Sequence, residues 1–376
     1  MTPATSLRAD LAALEERIRQ FGADRPRPLR VFAEWLLALF LGVSGMLLLY
    51  DGALPLLVRA AALLVSTLGF VVLGTIGHTA SHGGFSRSAA GNQILFYATY
   101  PLLGMLSARY WRHSHIHVHH SAPNVVGIDD DCDLRPLFSL NEQHREGAGA
   151  WHRYQGLLLP LALPLNYFNL QRQGLRRLAN ELKDPRLRTP AAVADLACVL
   201  LHVAIFVVLP MAFVSVSVAL GVYALRMSML GVGLFAVLAP GHYPGEAACL
   251  DASQRKAGHF WLRQTVATVD FRTGPVGRWI CAGLQYQIEH HLFPGLCHVH
   301  YPAVSEAVRE FCSKHGLPYR TLGWGEALWK SYRVFFFPKP VIADVNTLRL
   351  SDGSAPSVTR AAEAARSKTG GGTAAQ

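Results

Sequence analysis

Val31–Tyr50 reads VFAEWLLALFLGVSGMLLLY, with Glu34, near its start, as the only charge. A bilayer core is crossed by roughly 20 apolar residues in helical form. This stretch has that length. Three other runs do as well: Ala60–Gly77, entered at Arg59; Ala191–Pro210, interrupted by Asp195; and Ala212–Leu238, which carries Arg226. Ile94–Leu106 is too short to span, and Pro160 and Pro164 break Leu157–Leu170. Both of these are expected to be interfacial or re-entrant. The predicted fold class is an all-α integral membrane protein, with four transmembrane helices and a cytoplasmic helical cap.

Composition agrees. Of 376 residues, 51% are hydrophobic and only 16% charged, against ~25% charged in an average soluble protein. The six cysteines form no CxxC pair, which argues against a disulfide framework or a zinc ribbon and for reduced thiols. The first thirty residues carry six arginines and no long apolar run, so no signal peptide is expected. Lys and Arg number twelve between His78 and Pro190 and fifteen after Leu238, whereas the short connections Asp51–Arg59 and Met211 hold one and none. By the positive-inside rule the histidine-bearing loops and both termini are cytoplasmic. Topology and anionic lipid headgroups account for the net charge of +10, and nucleic acid is not implied. The expected division is a cytoplasmic segment over 1–30, a membrane domain over 31–340 and a disordered tail over 341–376 rich in Ala, Ser, Thr and Gly. There is no internal repeat.

The seventeen histidines are unevenly distributed. WRHSHIHVHH, Trp111–His120, holds five of them: His113, His115, His117, His119 and His120. His78 and His82, in GHTASHGG, follow the second span, and a continued helix would put both on one face. His242 closes the fourth span in APGHYPG. LQYQIEHHLFPGLCHVHYP follows, with Gln287, His290, His291, His298 and His300. A four-span bundle brings these distant clusters to one membrane surface. A lone HxxxH is a weak sign of metal, but three clusters on one predicted face are hard to attribute to chance. Imidazole suits iron, zinc, copper and nickel. An all-imidazole set of eight exceeds the needs of one ion, so two metals are expected.

HTASH, then WRHSHIHVHH with SAPNVVGIDDDCDL behind it, then QYQIEHHLFP with CHVHYP behind it, resembles the membrane fatty acid desaturase family in order, interval and interleaved spans. The resemblance covers about residues 30–340. Its third motif, with Gln287 where many relatives have His, resembles the front-end and acyl-lipid branch. The family pattern implies metal ligation by His78 and His82, by His115, His119 and His120, and by His290 and His291. His242 matches a further ligand of the family. Gln287 could bind metal directly, through water, or not at all. His113 and His117 fall outside the family's second box, yet with His120 they form a rival i, i+4, i+7 stripe that helical spacing alone does not reject. Thr79 stands where the family's first box usually has Asp, so a carboxylate that would orient a ligand is missing there. Asp129, Asp130, Asp131 and Asp133 read either as a solvated turn or as carboxylates orienting imidazoles.

The resemblance implies two iron ions with dioxygen as co-substrate. Two external electrons and an acyl-chain lipid then give a double bond and water. A heme domain with a His-Pro-Gly-Gly motif, fused in many front-end relatives, is not found, so a separate electron donor such as a ferredoxin or small heme protein is expected. It would dock on the basic face that includes Arg172, Arg176, Arg177, Lys183, Arg186 and Arg188. A hydroxylase or ketolase of the same architecture is the first alternative. A divalent-metal transporter is a remote one, since transporters place ligands near the bilayer midplane and these clusters lie at span ends. His202 reads as a satisfied polar residue, and His144, His152, His259 and His315 as surface or interfacial ones. Asp195 and Arg226 are expected to face the bundle interior, where pairing between them is open.

Overall fold

The computed structural model describes residues 3–145, 149–257 and 260–350. Four helices are long and apolar enough to cross a membrane: Pro28–Tyr50, Leu56–Ser81, Pro190–Ala212 and Val216–His242. Hydropathy locates these spans, but capping sets their ends. The fourth helix starts at Val216 because the Ser215 hydroxyl accepts from the Val218 N–H, and it runs on to include His242. The second extends beyond its apolar run at both ends, which places His78 in its last turn and His82 at its C-cap. The third continues past Val203 with π winding over Ala204–Val208 and a 3-10 turn over Leu209–Ala212.

The first two spans pack backbone to backbone. A Cβ on Gly69 would lie 2.3 Å from the Gly42 nitrogen and 2.6 Å from the Ala38 oxygen. The Ser66 hydroxyl donates to the Gly42 carbonyl at 2.8 Å. Close approach at small residues is how helices associate where lipid removes the hydrophobic drive.

Leu157–Leu170 is not broken at its prolines. It belongs to one helix, Gln155–Lys183, with Pro160 and Pro164 inside. Pro160 deprives the Gly156 carbonyl of its i→i−4 donor, and the Tyr332 hydroxyl replaces it at 2.9 Å. Leu157, Leu161 and Leu165 form an exposed stripe, while Leu159, Tyr167 and Leu178 are buried. Ile94–Leu106 divides between a helix at Ala89–Tyr97, a π segment at Ala98–Leu103 and a turn.

Asp195 and Arg226 are both buried but unpaired with each other. Asp195 accepts from the Ser107 hydroxyl at 2.7 Å and the Arg109 N–H at 3.0 Å. The Arg226 guanidinium lies over the rings of Phe206 and Phe70, 4.4 and 4.6 Å from their centroids. His202 is satisfied by the Leu102 carbonyl at 2.8 Å and the Tyr223 hydroxyl at 3.2 Å.

Strand is limited, among the described residues, to two short parallel pairs: Cys249–Leu250 with Val341–Ile342, and Asp270–Arg272 with Thr321–Gly323. The first pair corrects the expected tail. Residues 341–350 pack into the body, with Ile342, Val345 and Leu348 buried; the remainder, 351–376, lies outside the described residues, as does His259. The N-terminal segment is also built in. Pro3–Gln20 is a helix that packs Leu14 and Ile18 against the helix Tyr301–Lys314. Lys314 pairs with Asp10 at 2.7 Å and Arg17 pairs with Glu310.

Candidate metal centre

The second box leaves α-helical winding where its histidines begin. Ala108–Trp111 is α-helical, Arg112–Val118 is a π-helix and His119–Ser121 is a 3-10 turn. His115 and His120 meet edge to face, with ring centroids 4.9 Å apart. His119 stacks on His115, centroids 5.1 Å apart, and also presents a ring nitrogen to His242 and His291. His113 is partly exposed, His117 is exposed, and neither joins a cluster.

Two all-histidine clusters result, adjoined where His115 and His119 meet beside Asp131. His78, His82, His115, His120 and His290 present ring nitrogens within 4.8 Å of one another, and so do His119, His242 and His291. The second span thus supplies two imidazoles, the fourth span one, and each His-His pair gives one ring to each cluster. In the first cluster His78 Nε2 lies 2.9 Å from His115 Nε2, and His120 Nε2 lies 3.1 Å from His290 Nε2. Two nitrogens bound side by side to one ion, each at about 2.1 Å, stand roughly 3 Å apart. Gln287 adjoins the second cluster, its Oε1 3.2 Å from His242 Nε2. Gly241 permits that approach, since a Cβ there would lie 2.3 Å from Gln287 Cγ.

The rings are held from behind. His115 Nδ1 lies 2.7 Å from Asp131 Oδ2, and His119 Nδ1 lies 2.9 Å from Asp129 Oδ2. His290 Nδ1 is 3.2 Å from the Tyr301 hydroxyl, and His291 Nδ1 is 2.9 Å from Gln264 Oε1. Gln264 also donates to the His120 carbonyl at 2.9 Å. Such partners fix ring orientation and raise ligand basicity. Two of the four loop carboxylates therefore orient imidazoles. Asp133 instead bonds Arg135. Thr79 Oγ1 is 2.9 Å from His298 Nδ1, and His298 Nε2 is 3.0 Å from Glu34 Oε2 on the first span. The helix Gln287–Leu292 is fixed at its start by Asp270, which accepts from the Ile288 N–H at 2.9 Å. The Tyr319 hydroxyl links Asp270 and Glu289 at 2.8 and 2.6 Å.

Electrostatics favour ligation. Burial, and then the neighbouring imidazoles, push His115, His120, His290 and His291 well below the ordinary histidine range, so their rings are neutral and offer lone pairs. Burial works against protonating His119 too, but Asp129 outweighs it and raises that ring. Buried Nε2 atoms of His82 and His291 and Nδ1 atoms of His120 and His242 have no hydrogen-bond partner. Orphaned buried nitrogens on neutral rings fit a metal ion.

Beside the first cluster is an apolar cavity of about 60 Å³, with His78 and Trp111 in its wall alongside Thr99, Tyr100, Tyr167 and Leu234. Sequence reasoning missed Gln264, Glu34 and Tyr301. Only Glu34 carried a signal, as the one charge in the first span.

Known proteins give an independent comparison. The family model described as fatty acid desaturase matches residues 53–323. The sn-1 linoleoyl-lipid 6-desaturase of Arthrospira platensis is 30% identical over 267 residues, covering 68% of this chain and 69% of its own. The NADPH-dependent stearoyl-CoA 9-desaturase of Mycobacterium tuberculosis is 27% identical over 291 residues, 75% of this chain and 67% of its own. The Delta(8)-fatty-acid desaturase 2 of Arabidopsis thaliana is 27% identical over 271 residues, 67% and 57% respectively. A family match reaching from the second span to beyond the third histidine box, with all three of these relatives desaturases, means that this protein belongs to the fatty acid desaturase family.

Proposed function

We propose that this oxidoreductase is a di-iron acyl desaturase acting on a chain attached to a membrane lipid. The observation that carries the reading is the pair of adjoining imidazole clusters beside an apolar cavity. His78, His82, His115, His120 and His290 would hold one iron. His119, His242 and His291 would hold the other, with Gln287 at its edge. When bound, the irons supply the strong oxidant that an unactivated C–H bond requires, drawing on dioxygen and two electrons from outside. Overall, a –CH2–CH2– unit, dioxygen, two electrons and two protons become –CH=CH– and two waters.

The chain's own residues supply the rest. The cavity takes the acyl chain, excludes water and fixes which methylenes pass His78. Asp129, Asp131, Gln264 and Tyr301 keep the rings turned inward. The lipid-linked substrate follows from the Arthrospira relative, whose name specifies a linoleoyl-lipid. An acyl thioester is the second reading, favoured by the Mycobacterium relative, which acts on stearoyl-CoA. Electrons come from a separate acidic donor, a ferredoxin or small heme protein, on the cytoplasmic side where the boxes emerge. Arg172, Arg176, Lys183, Arg186 and Arg188 are exposed there, while Arg177 is tied to Glu181 at 3.0 Å.

Expression in a host of known lipid composition, followed by fatty-acid profiling of lipid and thioester pools, tests the reading. A new double bond in lipid-bound chains is expected. A hydroxylated or keto product would favour the alternative outcomes of the same architecture, and accumulated divalent metal with no altered lipid would favour transport.

A further inference from the structure

We propose that Lys339 is a positioning residue that holds His242 in the second cluster; the inference rests on the reading of His242 as a ligand. Lys339 lies beyond residues 53–323, the part matched by the family model, yet it reaches the metal centre. Its side chain is buried, at 2% exposure. Nζ donates to the His242 carbonyl at 2.8 Å and to the Ala247 carbonyl at 2.9 Å. Among the described residues no carboxylate forms an ion pair with it.

That arrangement is unusual for a lysine. A buried ammonium is unfavourable without a compensating charge. What Lys339 meets is the C-terminal end of the fourth span, where unpaired carbonyls carry partial negative charge. His242 is the last residue of that helix. Its carbonyl also accepts from Asn124 Nδ2 at 2.9 Å, and the Asn124 N–H donates to Asp129 Oδ2 at 2.7 Å. Asp129 in turn orients His119. One network therefore fixes the backbone of His242 and the ring of His119, two members of the same cluster. The Asp131 N–H also donates to Asp129 Oδ1 at 3.1 Å, so the network reaches His115 of the first cluster, but only through a further carboxylate.

Lys339 is itself held by its backbone. Its N–H donates to the Leu140 carbonyl at 2.9 Å, and its carbonyl accepts from the Glu142 N–H at 2.9 Å. Two residues on, Val341 pairs with Cys249. The segment is a strap over the second cluster, and its ammonium is the point of contact.

The test uses full-length protein purified in detergent from iron-supplied cells. Iron affinity is measured by chelator competition in wild type, Lys339→Met and His242→Ala, with electron paramagnetic resonance of the ferric state. Lys339→Met should lower the affinity of one iron about 10- to 100-fold and leave the other unchanged, and ferric protein loaded with one equivalent should show a single mononuclear high-spin signal. His242→Ala should release the same iron. Wild-type affinity at both sites in Lys339→Met would overturn the inference, and so would parallel loss of both irons, which would make Lys339 a support of the whole fold. If His242→Ala keeps both irons at full affinity, the ligand reading itself fails and the inference falls with it.

Discussion

His120 and His291 lie face to face, ring centroids 4.4 Å apart and planes at 21°, although each belongs to a different cluster. The same division separates His119 from His120 and His290 from His291, neighbours in sequence. On the proposed di-iron reading, a His-His pair serves two ions from one backbone position. The stacked rings mark the boundary between them.

The second box brings His115, His119 and His120 into the clusters and leaves His113 and His117 outside them. His115→Ala, His119→Ala and His120→Ala should each abolish product, whereas His113→Ala and His117→Ala should leave substantial activity. Fatty-acid profiles of cells expressing each variant give the answer. A dead His117→Ala with an active His115→Ala would restore the rival stripe.

Residues behind the ligands should matter nearly as much. Asp129→Asn weakens the hold on His119, and Gln264→Leu releases both the His291 ring and the His120 carbonyl. Each should cost about 10- to 100-fold in metal affinity or turnover. Asp133→Asn, whose carboxylate pairs with the half-exposed Arg135, should stay near wild type. Equal effects of all three would mean that these residues act only through the fold.

The cavity makes a prediction about chain length. Gly74 lines it, and a Cβ there would meet nothing within 4 Å. Gly74→Leu should fill part of the space and shift preference toward shorter acyl chains. Its helical propensity is better than that of glycine by roughly 1 kcal/mol, so loss of fold is not the expected outcome. Competition among acyl chains of graded length measures the shift; an unchanged preference would separate the cavity from substrate binding.

Donor docking should depend on salt. Small ferredoxins and heme donors are commonly acidic, and long-range attraction to a basic face speeds encounter. Raised ionic strength should slow donor-limited turnover but have little effect when a small chemical reductant replaces the donor. Identical salt profiles with both reductants would remove the basic face from electron transfer.

The sequence carried the four spans and all eight clustered histidines, because apolar length and histidine crowding are local signals. Helical spacing alone leaves His115 and His117 open and only the family's motif favours His115, because the face turned inward is set by packing against segments distant in sequence. Pro160 and Pro164 misled because the hydroxyl that rescues the Gly156 carbonyl comes from Tyr332, far along the chain. Gln264, Tyr301 and Lys339 were invisible for the same reason: each is an ordinary residue locally and acquires its role only through a partner distant in sequence. Thr79 leaves the first box without its carboxylate, and its hydroxyl instead meets His298, which Glu34 holds from the first span.

The most direct test of the account is metal content and product identity measured on one active preparation. The account predicts about two irons per chain, because the eight clustered imidazoles exceed a single octahedral shell, together with a new double bond in the acyl product. Full desaturase activity with one metal per chain, or with none, would contradict it.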